Sequence, residues 1–533
     1  PAGGGGGGAF FSPPPRGGGP PPPPGVPSPA PAPSLARALS SASEASDARK
    51  PKTNAEIAVL AVGFAGLALG AYTADDALRA RGGEARARDP AADACARDDA
   101  NARGRRLRRW AETHGATFAR SDVRDGGARE GAGAFHREND GESIAPRGLR
   151  LRKRERALMT IPDAAVVNWN TAAAHPTLGS TFESLLRRGV VDERLAVMCF
   201  FMIERRRGEE SAWKEYIDSL PRAYDAPLSF SDEELERELS GTTVYAPVKA
   251  QKAHVKKMFE ECVRPAMREL TQADNAAGSS LHMLPDVSEK EFAWAFQTFW
   301  SRALAIPVGA GGSVTVDSVV PGVDMVNHAP RARANARWEH VEDSSRPDGG
   351  YVALVSAPPN RTMKDGEEIF INYGDKSNEE LLFTYGFALK DNAVEERMVF
   401  FPPWAGDAEH SEDVTRRIEL LRAKGLPQHV VLPTTPPKRG FRDMDATVQE
   451  TLRIWCADVK DLDSRRRVDD ATRRKIHNVL RASIGAQSHA LRDVEREVDH
   501  SIASAREIAC DVYRRDIRRL YDNYIEAAAR WES

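Results

Sequence analysis

Two stretches decide the fold: Asp324-Met-Val-Asn327-His328, and Asn372-Tyr373-Gly374-Asp-Lys-Ser-Asn378-Glu-Glu-Leu-Leu-Phe-Thr-Tyr385-Gly386-Phe387. Each is a short polar cluster set in apolar sequence, and the two flank a strand pair. Such an arrangement lets a fold hold side chains over a bound molecule. Strand patterns around them are Val314-Thr-Val316, Tyr351-Val-Ala-Leu-Val355, Ile369-Phe-Ile371 and Met398-Val-Phe-Phe401. A helix over Phe292–Leu304 carries Phe292, Phe296 and Phe299 at helical spacing.

Outward from this centre, residues 180–272 read as helical, with Ser231-Asp-Glu-Glu234 as a helix start. A short helix at Leu107–His114 is stopped by Gly115, and Arg147-Gly148-Leu149 with Leu158-Met-Thr-Ile-Pro162 frames a further strand pair. Beyond Asp407 the texture becomes long charged helices. Val448, Leu452, Trp455, Val459 and Leu462 form one apolar stripe, and Leu491, Val494, Val498, Ile502, Ala505, Ala509 and Val512 form another. The expected architecture is an α+β domain over 105–390 with a helical insert at about 180–290, then an all-helical domain over 391–533.

Residues 1–104 read differently. Residues 1–33 are Gly and Pro tracts that cannot bury a core, so a disordered N-terminal region is expected. The chain opens on Pro1 rather than Met, the expectation being a start that is absent or processed. Ser34–Lys52 has the Ala/Ser-rich, basic balance of an organelle transit peptide, which makes a chloroplast the expected location; a membrane-anchored or cytoplasmic form is the alternative. The uncharged run Ile57–Ala71, extended to 57–73 by Tyr72 and Thr73, falls short of the ~20 residues a span needs. It reads as a membrane anchor, as part of a targeting signal, or as a buried helix. Residues 74–108 lack periodicity and read as linker; their basic cluster, Arg103 to Arg109, is a solvated helix start or a lipid contact.

Composition excludes several classes. The 533 residues allow roughly three domains. Lys+Arg (75) nearly cancels Asp+Glu (78), so no global basic field argues for nucleic acid. The five cysteines lie far apart without zinc-ligand spacing, which implies reduced thiols and no metal. Gly309-Ala-Gly-Gly312 lacks the Lys-Ser/Thr of a phosphate loop.

As a set, these motifs resemble the SET-domain protein methyltransferases, in the subfamily of the Rubisco large-subunit lysine methyltransferase. The resemblance runs from about Leu107 to the C-terminus. Besides the two central stretches it rests on Trp213–Pro221, Tyr224-Asp-Ala-Pro-Leu228, Leu239-Ser-Gly241-Thr242 and Ser301-Arg302-Ala303. It implies a β-rich, pseudoknotted SET domain with a helical insert, and a helical domain of the subfamily's substrate-binding type. One departure stands out: the turn Ile144-Ala-Pro146-Arg147-Gly148-Leu149 replaces a glycine-rich one and runs into the basic Arg-Lys-Arg-Glu-Arg.

The resemblance also implies S-adenosylmethionine as cofactor and methylation of a lysine on a folded non-histone protein, possibly a plastid enzyme. Tyr385 would stand nearest the transfer point and Tyr373 would line the amine channel, both as catalytic residues. Arg147, Gly148, Leu149, Ser301, Arg302, Asn327, His328, Tyr373 and Phe387 would bind the cofactor. Arg302, Asp324, Tyr373 and Tyr385 would meet the substrate. A protein-histidine methyltransferase, or a catalytically weak scaffold that binds protein, are the alternatives. On the residues alone, each of these has a plainer role: core tyrosines, a helix-capping Asn, a surface ion pair for Arg302.

Overall fold

The computed structural model describes residues 90–125, 132–137, 147–152, 155–278, 286–308, 314–343, 349–357, 363–390, 392, 398–400, 402, 411–462, 468–492 and 497–531; for 90–100, 125, 132, 308, 314, 398 and 492 it describes the backbone only. The expectations for 1–33, the transit-like segment, the apolar run 57–73 and Gly309–Gly312 therefore lie outside the described residues.

The helices in chain order are α1 (Pro90–Thr113), α2 (Trp169–Ala173), α3 (Gly179–Arg187), α4 (Glu193–Arg207), α5 (Lys214–Ser219), α6 (Asp232–Leu239), α7 (Tyr245–Met258), α8 (Arg264–Ala276), α9 (Glu289–Arg302), α10 (Asn378–Tyr385), α11 (Glu412–Ala423), α12 (Ala446–Cys456), α13 (Asp470–Arg492) and α14 (Ala505–Ala529). The strands are β1 (Ser121–Asp125), β2 (Ala132–His136), β3 (Ala157–Pro162), β4 (Leu304–Val308), β5 (Val314–Ser318), β6 (Asn327–His328), β7 (Ala336–Glu342), β8 (Gly350–Ser356), β9 (Glu368–Ile371), β10 (Met398–Phe400) and β11 (Val430–Leu432).

The strands make several small sheets. One has the order β1-β2-β9-β6, another β3-β8-β7, and β4-β5 and β10-β11 are two-stranded. Strand β6 runs parallel to β9, with Asn327 opposite Phe370 and His328 opposite Ile371. The segment after β9 then crosses the residues before β6. Tyr373 N–H donates to His328 Nδ1 at 3.0 Å, and the Tyr373 hydroxyl donates to Val326 O at 2.7 Å. That crossing fixes the site.

Several expectations need correction. Helix α1 begins at Pro90, inside the stretch read as linker. Alanine is the strongest helix former, Pro is favoured at the first helical position, and Leu107, Trp110 and Ala111 bury a face against the sheet. Gly104 lets α1 cross β1 closely: a Cβ there would stand 2.0 Å from Val123 O. Residues 147–148 form a turn rather than a strand, and Leu158–Pro162 pairs instead with β8.

Two large buried cores divide the described residues, with a small third cluster on the β3-β8-β7 sheet around Leu149, Val341 and Tyr351. The first joins α1, the sheets other than β10-β11, Phe200 and Phe201 of the insert, and Phe292 and Phe299 of α9. The second is that of the C-terminal helices, and it also takes in Phe230, Leu235, Leu239, Val244 and Val248 of the insert and Leu382 of α10. The insert is thus shared between both cores. The Arg506 guanidinium reinforces the seam, donating to Asp225 Oδ1 at 2.8 Å and Tyr224 O at 2.9 Å.

The C-terminal stripes are shorter than their spacing predicts. Helix α12 stops at Cys456, where the buried Arg417 donates to the carbonyls of Trp455 (3.3 Å) and Ala457 (2.9 Å). It thereby satisfies helix-end acceptors that would otherwise lie orphaned. Of the stripe expected over 491–512, Leu491 lies at the end of α13, and Ala505, Ala509 and Val512 lie in α14. Val498 and Ile502 fall in neither helix, and Val494 lies outside the described residues. A capping box, Ser504 with Glu507, starts α14 afresh, and Ile502 is left 71% exposed.

Helix α10 ends on Gly386 at φ 81°, whose N–H bonds Leu381 O and Leu382 O. A Cβ there would lie 2.5 Å from Ala226 N and Asp225 C. Gly386→Ala combines left-handed strain with a backbone clash, and should destabilise by more than ~1 kcal/mol. A lowered urea midpoint checks this; an unchanged one would contradict it.

Candidate active site

The crossing of β6 and the segment after β9 gathers four rings. Tyr373 lies 5.1 Å from Tyr385 and 5.1 Å from His328, centroid to centroid. Phe387 closes the group at 6.0 Å from both His328 and Tyr385. All four are partly buried. Local chemistry explains their placement: Tyr373 follows β9, Tyr385 ends α10, and the left-handed turn at Gly386 swings Phe387 back beside it.

The two tyrosines differ in their hydroxyls. That of Tyr373 is committed to Val326 O. That of Tyr385 has no hydrogen-bond partner among the described residues. Burial pushes the Tyr385 phenol up to about 12, with the Glu380 carboxylate adding to it. Burial likewise raises Tyr373, with Arg302 opposing. Both phenols are neutral at physiological pH, so they act through hydrogen bonds rather than as phenolates.

His328 accepts the Tyr373 N–H at Nδ1, which places its own proton on Nε2. Burial, then the charge of Lys376, lowers its pKa. Folding therefore disfavours the imidazolium. The stability this site contributes is present above about pH 6.5 and is lost as pH falls through the depressed value. His328→Asn should flatten that acid decline in the urea midpoint relative to wild type. Parallel curves for the two proteins would contradict it.

Asn327 donates from Nδ2 to Glu368 Oε1 at 2.8 Å, which sets its amide. Asp324 and Arg302 are drawn into the framework. The Arg302 Nη1 donates to Asp324 Oδ2 (3.1 Å) and Asp324 O (2.9 Å). Tyr216 OH and Gly322 N–H complete the carboxylate at 2.9 and 2.8 Å. Burial raises the Asp324 carboxyl while Arg302 pulls it back. Desolvation would lower Arg302, but Tyr224, Asp324 and Tyr216 outweigh it, so Arg302 is held protonated. The Asp324 carboxylate is fully buried, and its bonds to Gly322 N–H and Arg302 hold the turn before Asn327.

Ser301 donates its hydroxyl back to Gln297 O at 2.6 Å. The turn at 147–149 packs on the β3-β8-β7 sheet: Arg147 O accepts from Tyr351 OH at 2.7 Å, and Leu149 is buried with Val341, Tyr351 and Val355. The structure thus gathers Asn327, His328, Tyr373, Tyr385 and Phe387 directly. It ties Arg302 and Asp324 beneath them, and sets Ser301 and the 147–149 turn on neighbouring elements.

Sequence reasoning missed three supports. Glu368 orients Asn327, Tyr216 holds Asp324, and Tyr224 meets Arg302 Nε at 3.4 Å and Thr298 at 2.9 Å. Asn378, fully buried, bonds Leu389 N–H and O and Asp516, fastening α10 to α14. Tyr216 and Tyr224 stand within motifs already singled out, and that was their available signal. Among the described residues no group of three or more His, Cys, Asp or Glu is placed to hold a metal.

This architecture is that of a SET domain followed by helices. It superposes on the SET domain of LSMT bound to lysine and AdoHcy with a TM-score of 0.58 at 19% identity, over 80% of this chain and 91% of that one. No family model matches the chain. In sequence it is 26% identical to ribosomal lysine N-methyltransferase set10 of Schizosaccharomyces pombe, over 45% of this chain and 38% of that protein. It is 25% identical to the actin-histidine N-methyltransferase of Danio rerio, over 58% and 47%. It is 26% identical to the chloroplastic ribulose-1,5 bisphosphate carboxylase/oxygenase large subunit N-methyltransferase of Pisum sativum, over 52% and 50%. The chain spans about half or less of the length of these relatives.

Proposed function

We propose that the chain is an S-adenosylmethionine-dependent protein-lysine N-methyltransferase acting on a folded non-histone protein. The observation that carries this reading is the unpartnered Tyr385 hydroxyl, held within a ring of Tyr373, His328 and Phe387. The residues present fit a sulfonium cofactor: they offer π faces and a free phenol oxygen to a cation, and the nearby Asp324 carboxylate is already neutralised by Arg302. Asn327, His328, Tyr373 and Phe387 would hold it, with Arg302 beneath them and Ser301 and the Arg147-Gly148-Leu149 turn on neighbouring elements.

When bound, S-adenosylmethionine supplies an electrophilic methyl group. The chain's residues prepare the amine. A free lysine of pKa ~10.4 is almost wholly protonated at neutral pH. The aromatic walls desolvate the ammonium and lower its pKa. Tyr385, neutral and unpartnered, accepts a hydrogen bond from the amine and aims its lone pair, which is mainly positioning. Tyr373, pinned to Val326, forms the rigid wall opposite.

The helical domain, anchored through Asn378–Asp516 and Arg506–Asp225, would dock the substrate protein. A plastid location is part of the proposal, supported by the basic Ala/Ser-rich Ser34–Lys52 and by the chloroplastic relative. Among the described residues no helix is long and apolar enough to cross a membrane.

Titration calorimetry with S-adenosylmethionine tests the cofactor reading. Stoichiometric binding that weakens in Asn327→Ala supports it. A folded chain that binds none would leave a protein-binding scaffold instead.

A further inference from the structure

Part of the basic run Arg103–Arg109 faces inward. Arg103 and Arg106 of α1, Arg205 of α4 and Arg222 beyond α5 line one open-mouthed cavity of about 380 Å³, beside the indole of Trp294. Four guanidinium groups from three separate segments thus share one space. Trp294 is fixed by its own N–H, which donates to Pro221 O at 2.8 Å. Arg205 stacks on its ring at 4.1 Å from the centroid.

Among the lining residues named, four arginines face a single carboxylate. Asp218, the one carboxylate among the lining residues, is held by Lys214 at 2.6 Å. Arg106 reaches Glu215 at 3.3 Å in a half-exposed pair, an arrangement of small energetic weight. Arg205 and Arg222 have no ion-pair partner among the described residues. Burial lowers the Arg205 guanidinium from its usual value, with the Glu291 carboxylate, Tyr224 and Asp218 opposing and Arg222 adding to it.

We propose that this cavity is an anion site that takes a small phosphate-bearing molecule. Arginine's planar fork matches phosphate oxygens bidentately. The volume lies at the small end of ligand pockets, ~300–1,000 Å³, which fits a compact organic phosphate better than a length of chain. The wall of the cavity is also connected to the aromatic site. Residues 217–222 run from Tyr216, which bonds Asp324, to Tyr224, which meets Arg302. An occupant would therefore steady the segment that holds the Asp324–Arg302 pair. The proposal is independent of the methyl-transfer reading.

Calorimetric titration of inorganic pyrophosphate into the full chain at low ionic strength tests it, beside the Arg205→Ala/Arg222→Ala variant. Both arginines are exposed, so the variant should melt close to wild type. The expected result is one-site binding, weakened about tenfold or more in the variant. Equal binding by both proteins, or no pyrophosphate binding to wild type at millimolar concentration, would overturn the proposal. So would binding of a Glu-rich peptide in place of pyrophosphate, which would give the cavity to an acidic protein segment.

Discussion

Tyr385→Phe should lower methyl transfer by about 10²–10⁴-fold while leaving cofactor affinity nearly intact. The substitution removes one oxygen and keeps the ring. Because that oxygen bonds no group among the described residues, the variant leaves none of them orphaned, and stability should change little. Tyr373→Phe differs in kind: it breaks the 2.7 Å bond to Val326 O and loosens the crossing itself. It should lower both stability and turnover. A single-turnover rate and a cofactor titration on each variant separate these cases. Unchanged turnover in Tyr385→Phe would remove Tyr385 from the reaction.

The second large effect belongs to the buried pair. Asp324→Ala leaves the Arg302 guanidinium, Tyr216 OH and Gly322 N–H without their common acceptor. Removing one member of such a pair costs ~3–5 kcal/mol, because the other charge stays behind uncompensated. Arg302→Met/Asp324→Leu, which removes both charges and keeps volume, should recover part of that loss. Urea midpoints of the three proteins check the order wild type, double variant, single variant. A single variant as stable as wild type would show the pair to be a surface contact, the plain reading the sequence left open for Arg302.

Legibility varied with how local the cause is. The ring cluster could be read because its members sit in two short segments, and because Gly386 announces the turn that returns Phe387 beside Tyr385. The C-terminal stripes could be read as helices but not as to where they end. Apolar spacing alone carried Ile502 into a helix, whereas Ser504 and Glu507 cap a new one just after it. Strand β7, Ala-Arg-Trp-Glu-His-Val-Glu, was hidden by charge: His340 and Arg337 are paired with Asp163 and Glu155 from distant segments. The division between cores was hidden for the same reason. Nothing local to Phe230 or Val248 says that they pack against helices more than 150 residues away. Asp324 and Arg302 were legible as important residues but not as partners, since the helix end and the turn meet only in the folded chain.

Transfer of labelled methyl from S-adenosylmethionine to a plastid soluble extract by the purified chain, followed by amino-acid analysis of the labelled protein, tests the central claim most directly. The account predicts label in methyl-lysine on a soluble protein, and its loss with Tyr385→Phe. Label in methyl-histidine would contradict the lysine assignment, and an absence of label from folded protein that binds the cofactor would contradict the proposed substrate class.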